Sequence, residues 1–163
     1  MILLNDFDTS IRKAFTEIDE NWENYDGLII AGTHNPHDIE MMIEEIKKAR
    51  ETRKPFYGEC FGHQLACIEW ARNILGIKDA TSEEFGQGTF VVKKLPKLNV
   101  GLKQVGDRFE SFWNNYAVDE FVEKDYLANR PDNFITAQFH ASYQSSKQKP
   151  HPLIAEFIKQ CQK

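Results

Sequence analysis

The segment Gly58-Glu59-Cys60-Phe61-Gly62-His63-Gln64 places a thiol between two glycines, with an apolar strand-like run, Pro55 to Gly58, before it and a helix-like run, Gly62 to about Leu75, after it. A tight turn in that context presents the cysteine to a cleft. The glycines permit close backbone approach, and the helix N-terminus favours a thiolate. The N–H of Phe61, next in the chain, is then placed to receive an oxyanion. Taken alone, Cys60 also reads as a small buried hydrophobe, the usual fate of a reduced cysteine. A thiol nucleophile needs a base, and His140 closes the strand-like run from Ile135, which puts it at a strand's carboxyl end, facing the same cleft. His34 and His37 flank Pro36 without a carboxylate cluster and read as solvated loop residues, so no metal is expected. His63 and His151 read as helix-start residues. Cys67 reads as core, and Cys161 as core or surface.

The elements that must position Cys60 and His140 follow from hydrophobic periodicity. Ile2 to Leu4 is a short apolar strand, and Ile11, Ala14, Phe15, Ile18 and Trp22 recur at helical spacing over residues 9–23. Residues 27–31 form a continuous apolar run, as in a strand covered on both faces, and a loop follows from Gly32 to Asn35. Asn35-Pro36 reads as the cap and first position of a helix whose buried stripe is Ile39, Met42, Ile43, Ile46 and Ala49. The helix after Cys60 ends at Gly76. Beyond residue 86 the runs 89–92, 98–105, 109–113, 116–118 and 134–139 read as short strands that extend or edge the sheet in antiparallel fashion. A last helix spans about 151–162, with Leu153, Ile154, Phe157, Ile158 and Cys161 inward. The pattern is α/β, an open, mostly parallel sheet flanked by helices, whose ligands sit at the carboxyl ends of strands.

With 163 residues, no repeat and no low-complexity linker, the chain reads as a single domain over 1–163. Twenty Lys plus Arg against twenty-five Asp plus Glu give a formal charge of −5, which excludes a global positive field and speaks against nucleic acid or an anionic membrane as partner. Three cysteines without a Cys-x-x-Cys pair fit neither a disulfide framework nor structural zinc. The N-terminal apolar run is too short for a signal peptide, and a cytoplasmic location is expected.

Residues 26–85, and above all Pro55 to Gln64 with Ile68-Glu-Trp-Ala-Arg-Asn-Ile-Leu-Gly76, resemble the class I glutamine amidotransferase family, in particular the glutaminase domains of CTP synthases. Gln138-Phe-His140 and His151-Pro-Leu153 resemble the same domain's C-terminal end. The resemblance implies a flavodoxin-like α/β fold and glutamine as substrate, with no cofactor. It implies Cys60 as the nucleophile that forms a glutamyl thioester and His140 as general base and acid. Phe61 N–H becomes an oxyanion donor, and Gln64 and Glu84 bind the substrate, Glu84 by facing its α-ammonium or by holding its binding geometry. In the loop Ala31-Gly32-Thr33, Gly32 falls at the substrate and Thr33 supplies the second oxyanion N–H.

The sequence departs from the family in three places. The family's third catalytic residue is a Glu two positions after the His, where this chain has Ser142. Ser142 is a candidate to orient the ring, and Glu59 and Glu110 are candidates to replace the missing carboxylate. The oxyanion loop carries Thr33, a β-branched residue that resists positive φ, where the family has glycine. The chain also looks trimmed before residue 26 and ahead of the catalytic His, and Trp113-Asn-Asn-Tyr-Ala-Val118 stands where the family has a His-Arg-Tyr-rich segment. The expected function is a compact, stand-alone glutamine amidohydrolase, or hydrolase of a related γ-glutamyl amide. Its ammonia would pass to a synthetase on another chain or be released, and whether it forms a homo-oligomer is left open. The alternative is a catalytically degenerate homologue that acts as a binding or regulatory subunit.

Overall fold

The computed structural model describes residues 1–4 and 9–163. Its centre is a four-stranded parallel sheet in the order β1 (Ile2–Leu3), β2 (Leu28–Ile30), β3 (Phe56–Glu59) and β6 (Phe134–Ala137). Side chains alternate across these strands with period two. Leu28, Ile30, Phe56 and Phe134 face one core, while Ile29, Tyr57 and Ile135 face the other. Helices α2 (Ile39–Thr52) and α3 (Phe61–Asn73) cover the first face; α1 (Thr9–Ile18) and α5 (Pro152–Cys161) cover the second. Coverage on both faces is why the strands read as unbroken apolar runs. On the second face Phe15 and Phe157 each place their ring 5.5 Å from that of Tyr57.

The helix predicted to open at Asn35-Pro36 begins later, at Ile39. Asp38 precedes it in the left-handed region (φ 51°), a conformation that Asp tolerates better than most residues, and its carboxylate meets the His37 ring at 2.9 Å. The predicted short strands of the second half are joined differently. Residues 89–118 form one long hairpin of β4 (Thr89–Val105) and β5 (Arg108–Val118), turned at Gly106 with φ 60°. Its pairing is broken between Lys94 and Asn99, around Pro96, which has no N–H to give a ladder. Ala80–Ser82 pairs in parallel with β4 as a third, short strand. Residues 120–129 form a helix, α4, that periodicity does not reveal. Only Val122 and Tyr126 are buried on it, and its clearer signal is Asp119, whose side chain accepts from Phe121 N.

Two close contacts hold α3 against the sheet. A Cβ on Gly62 would lie 2.1 Å from the carbonyl oxygen of Ile30, and one on Gly58 would lie 2.9 Å from Gly62 itself. Further along α3, the carboxylate of Glu69, 1% exposed, accepts a bidentate pair from Arg50 of α2 at 2.8 to 3.1 Å. Gly62→Ala is expected to lower stability by about 1–3 kcal/mol through overpacking against backbone that cannot turn aside. Arg50→Ala, which strands a buried charge, is expected to cost about 3 kcal/mol. Urea denaturation checks both, and a midpoint equal to the parent's for either variant would contradict the corresponding contact.

Candidate active site

Cys60 lies between β3 and α3 with φ 53° and ψ −100°, a conformation that costs a non-glycine residue about 1–3 kcal/mol and is kept only where the surroundings enforce it. The enforcement is visible on both sides. Cys60 N donates to Ala137 O at 2.8 Å, which ties the turn to β6, and Gly62 is pressed onto Ile30. Phe61 starts the helix, so its N–H belongs to the first turn, whose amides have no intrahelical acceptor.

His140 follows the end of β6, the strand next to β3, and is 4% exposed. Its ring stacks on Tyr143, centroids 4.4 Å apart, and its backbone N donates to Ser111 O at 2.7 Å. Nε2 lies 3.4 Å from the carbonyl oxygen of Trp113, and the Cys60 thiol points to the same oxygen at 3.8 Å. The two groups therefore share one end of the cleft, beneath the β5 wall. Burial works to lower the basicity of the ring, but the close approach of Cys60 and Glu59 outweighs it and pushes His140 up to about 10.

A cavity of about 210 Å³ opens in front of this pair, below the volume range of drug-sized sites. Gly32, Thr33, Cys60, Phe61, Gln64, Glu84 and His140 all line it, so seven of the eight site residues expected from sequence converge. The eighth, Ser142, does not line it. Ser142 lies behind the histidine, where its Oγ donates to Glu59 Oε1 at 2.5 Å and its N donates to Glu59 Oε2 at 3.1 Å. Gln64 is fixed by donating to Tyr116 O and Gln138 Oε1, and Gln138 Nε2 in turn lies 3.4 Å from Cys60 Sγ. Glu84 is half-buried, and that burial raises its carboxyl above the ordinary value.

The loop expected to supply the second oxyanion donor has a different backbone from the one expected. Neither Gly32 nor Thr33 has positive φ, so a β-branched residue is accommodated at 33, and Thr33 Oγ1 accepts from Asn35 N at 3.1 Å. The position that excludes a side chain is Gly32, where a Cβ would come 2.8 Å from His140 Cε1. Sequence reasoning did not assign Trp113, Asn114, Asn115, Tyr116 and Tyr143 to the site, although they complete the cavity wall. Residues 113–116 reach it because the hairpin folds back over the sheet, a long-range arrangement with no local signal. His34 also lines the cavity, against Trp113, whereas Glu110 is held away from His140 by His151 Nε2 at 3.0 Å and Arg108 at 3.0 Å.

Comparison with known proteins shows the family and the fold. The CTP synthase of Methanoculleus marisnigri is 31% identical over 180 residues, covering 85% of this chain and 34% of its own length. That of Bdellovibrio bacteriovorus is 32% identical, covering 82% of this chain and 34% of its own length. The chain thus spans about a third of these relatives. The glutaminase domain of Trypanosoma brucei CTPS, solved with bound acivicin, superposes with a TM-score of 0.71 at 20% identity over 88% of this chain and 75% of that one, which shows a shared fold. The model of the family "Glutamine amidotransferase class-I" matches residues 3–160, a span that takes in the cysteine turn, the cavity wall and the histidine, and this chain belongs to that family.

Proposed function

We propose that the cavity binds glutamine and hydrolyses its side-chain amide through a thioester on Cys60, with residues 1–163 acting as one amidotransferase unit. The observation that carries this reading is the strained Cys60 turn and His140 on the wall of one cavity that Gln64 and Glu84 also line. The substrate's α-ammonium meets Glu84, and a cation beside this carboxylate offsets the burial that raises it. The side-chain amide carbon reaches Cys60.

The thiolate attacks that carbon, and negative charge develops on the amide oxygen, where Phe61 N–H and the amides of the 32–33 loop donate. The His140 imidazolium gives its proton to the leaving nitrogen, so ammonia departs and the thioester remains. Water, deprotonated by the now neutral His140, attacks the thioester, and glutamate leaves as the Cys60 thiolate and the His140 imidazolium are restored. The ammonia goes to an acceptor enzyme on another chain or to solvent.

Glutamate release from glutamine tests this reading. Cys60→Ala is expected to abolish it, and equal rates in parent and variant would refute an enzymatic role. Glutamate release at background in both, with stoichiometric labelling of Cys60 by an electrophilic glutamine analogue, would mark the protein as a binding subunit instead. Glu84→Gln is expected to raise KM by roughly 10- to 100-fold with kcat little changed, the loss of one charged contact of about 1.5–3 kcal/mol. An unchanged KM would remove Glu84 from the substrate site.

The charge on His140 also ties stability to pH. Its ordinary value of 6.5 applies to the unfolded chain and rises to about 10 in the fold, so the stabilisation is complete below pH 6.5 and disappears as pH rises through about 10. The stability difference between parent and His140→Gln, measured by denaturation across this range, is expected to shrink with rising pH. A difference that grows with pH would contradict the assignment.

A further inference from the structure

We propose that Glu59 is the carboxylate that positions His140, moved in this chain from the segment after the histidine to the residue before the nucleophile. The inference rests on the reading of Cys60 and His140 as a working pair. Glu59 is fully buried, with Oε1 3.4 Å from His140 Nδ1, an ion-pair distance that is not yet an aligned hydrogen bond. His140 Nδ1 is one of two buried side-chain N or O atoms among the described residues without an aligned partner, and the carboxylate is what it faces. Catalytic hydrogen bonds are often long without substrate and tighten when it binds.

The remaining contacts of Glu59 hold it in that orientation. Tyr57 Oη donates to Oε2 at 2.8 Å, Ser142 N donates to Oε2, and Ser142 Oγ donates to Oε1. Ser10 Oγ of α1 lies 3.1 Å from Ser142 Oγ, which ties the cluster to the helix above. Every neighbour is a donor, so the carboxylate is satisfied as an anion, and Nδ1–H is the donor left to complete it. With Nδ1 turned to Glu59, Nε2 is the nitrogen left to exchange protons on the Cys60 side. Ser142, the residue at the family's carboxylate position, acts here by orienting Glu59.

The titratable groups around the ring are Cys60 and Glu59 from the β3 end, Tyr143 from its own turn, and His34 and Glu84 across the cavity. Glu59 itself faces Tyr57, which also feels the charge of Glu110, and Glu110 is paired with His151 and Arg108. Removing the Glu59 charge therefore acts on His140 with little else to replace it.

The test is the pH profile of Cys60 alkylation by iodoacetamide, read beside kcat and KM for glutamine and beside thermal melting. Glu59→Gln is expected to shift the alkylation midpoint upward by about one unit or more, since a ring without its counter-charge gives up its proton more readily and a neutral imidazole does not stabilise the thiolate. It is expected to lower kcat on the order of 100-fold at similar KM, short of the ~10⁴ seen when a serine triad loses its carboxylate. Should that chain fail to fold, Glu59→Asp, which keeps the charge but withdraws it, is expected to shift the midpoint in the same direction by less. Adding Ser142→Glu to Glu59→Gln returns a carboxylate to within reach of Nδ1 and is expected to bring the profile back toward the parent's. A folded Glu59 variant whose profile and kcat superimpose on the parent's overturns the proposal, as does a folded double variant that shows no recovery. Alkylation needs no substrate, so a parent that leaves glutamine intact yet shows the shift supports the role of Glu59 while the glutaminase reading fails.

Discussion

The close approach of Gly62 to the Ile30 carbonyl is the constraint on which the site depends. With no side chain between them, the first turn of α3 sits directly on β2, and the chain leaving β3 has one residue in which to reverse. Cys60 absorbs that reversal at φ 53°. Its strain is offset by the packing of α3 and by the bond from Cys60 N to Ala137 O, so the thiol is presented by the rigid centre of the protein rather than by a loop. A thiol on a mobile loop would have to be ordered before it could react; this one is ordered by folding.

The same sheet geometry explains how the other groups arrive. β3 and β6 are adjacent and parallel, so residues that follow their carboxyl ends emerge side by side, and His140 comes beside Cys60 without any special local sequence. Period-two alternation puts Tyr57 and Glu59 on one face of β3, toward α1 and the turn after His140, where Ser10 and Ser142 lie. The far wall comes from the hairpin. β5 is anchored by the buried pair of Glu110 with His151 at the start of α5, and Trp113 to Tyr116 are thereby held over the cleft.

Much of this was legible in the residues. The β-α-β order, the turn at Cys60 and the histidine after a strand all leave local signals: apolar runs, glycine spacing and a strand-to-helix boundary. Seven of the eight expected site residues meet in one cavity for that reason. What was not legible is set by distance along the chain. The hairpin reads as separate strands because Pro96 interrupts it, and α4 escapes notice because two buried residues make too narrow a stripe. Thr33 looked unfit for its loop because its φ was inferred from the glycine it replaces. The backbone at 33 has no positive φ, and the steric demand sits one residue earlier, at Gly32.

Ser142 is the instructive case, since a motif read position by position finds a lost carboxylate there. In space, positions 59 and 142 are a single location, their side chains touching at 2.5 Å behind the histidine. Two carboxylates at that separation would not both ionise, because like charges so close in a buried setting force one to take up a proton. The location therefore accommodates one charge, supplied from either side, with a neutral hydroxyl as its partner. A serine at 142 suits a glutamate at 59, since its hydroxyl donates to the carboxylate beside its backbone N–H, whereas an acidic side chain there would bring a second like charge. If Glu59 positions His140, as proposed, the charge behind the histidine comes from the end of β3 rather than from the turn after the histidine.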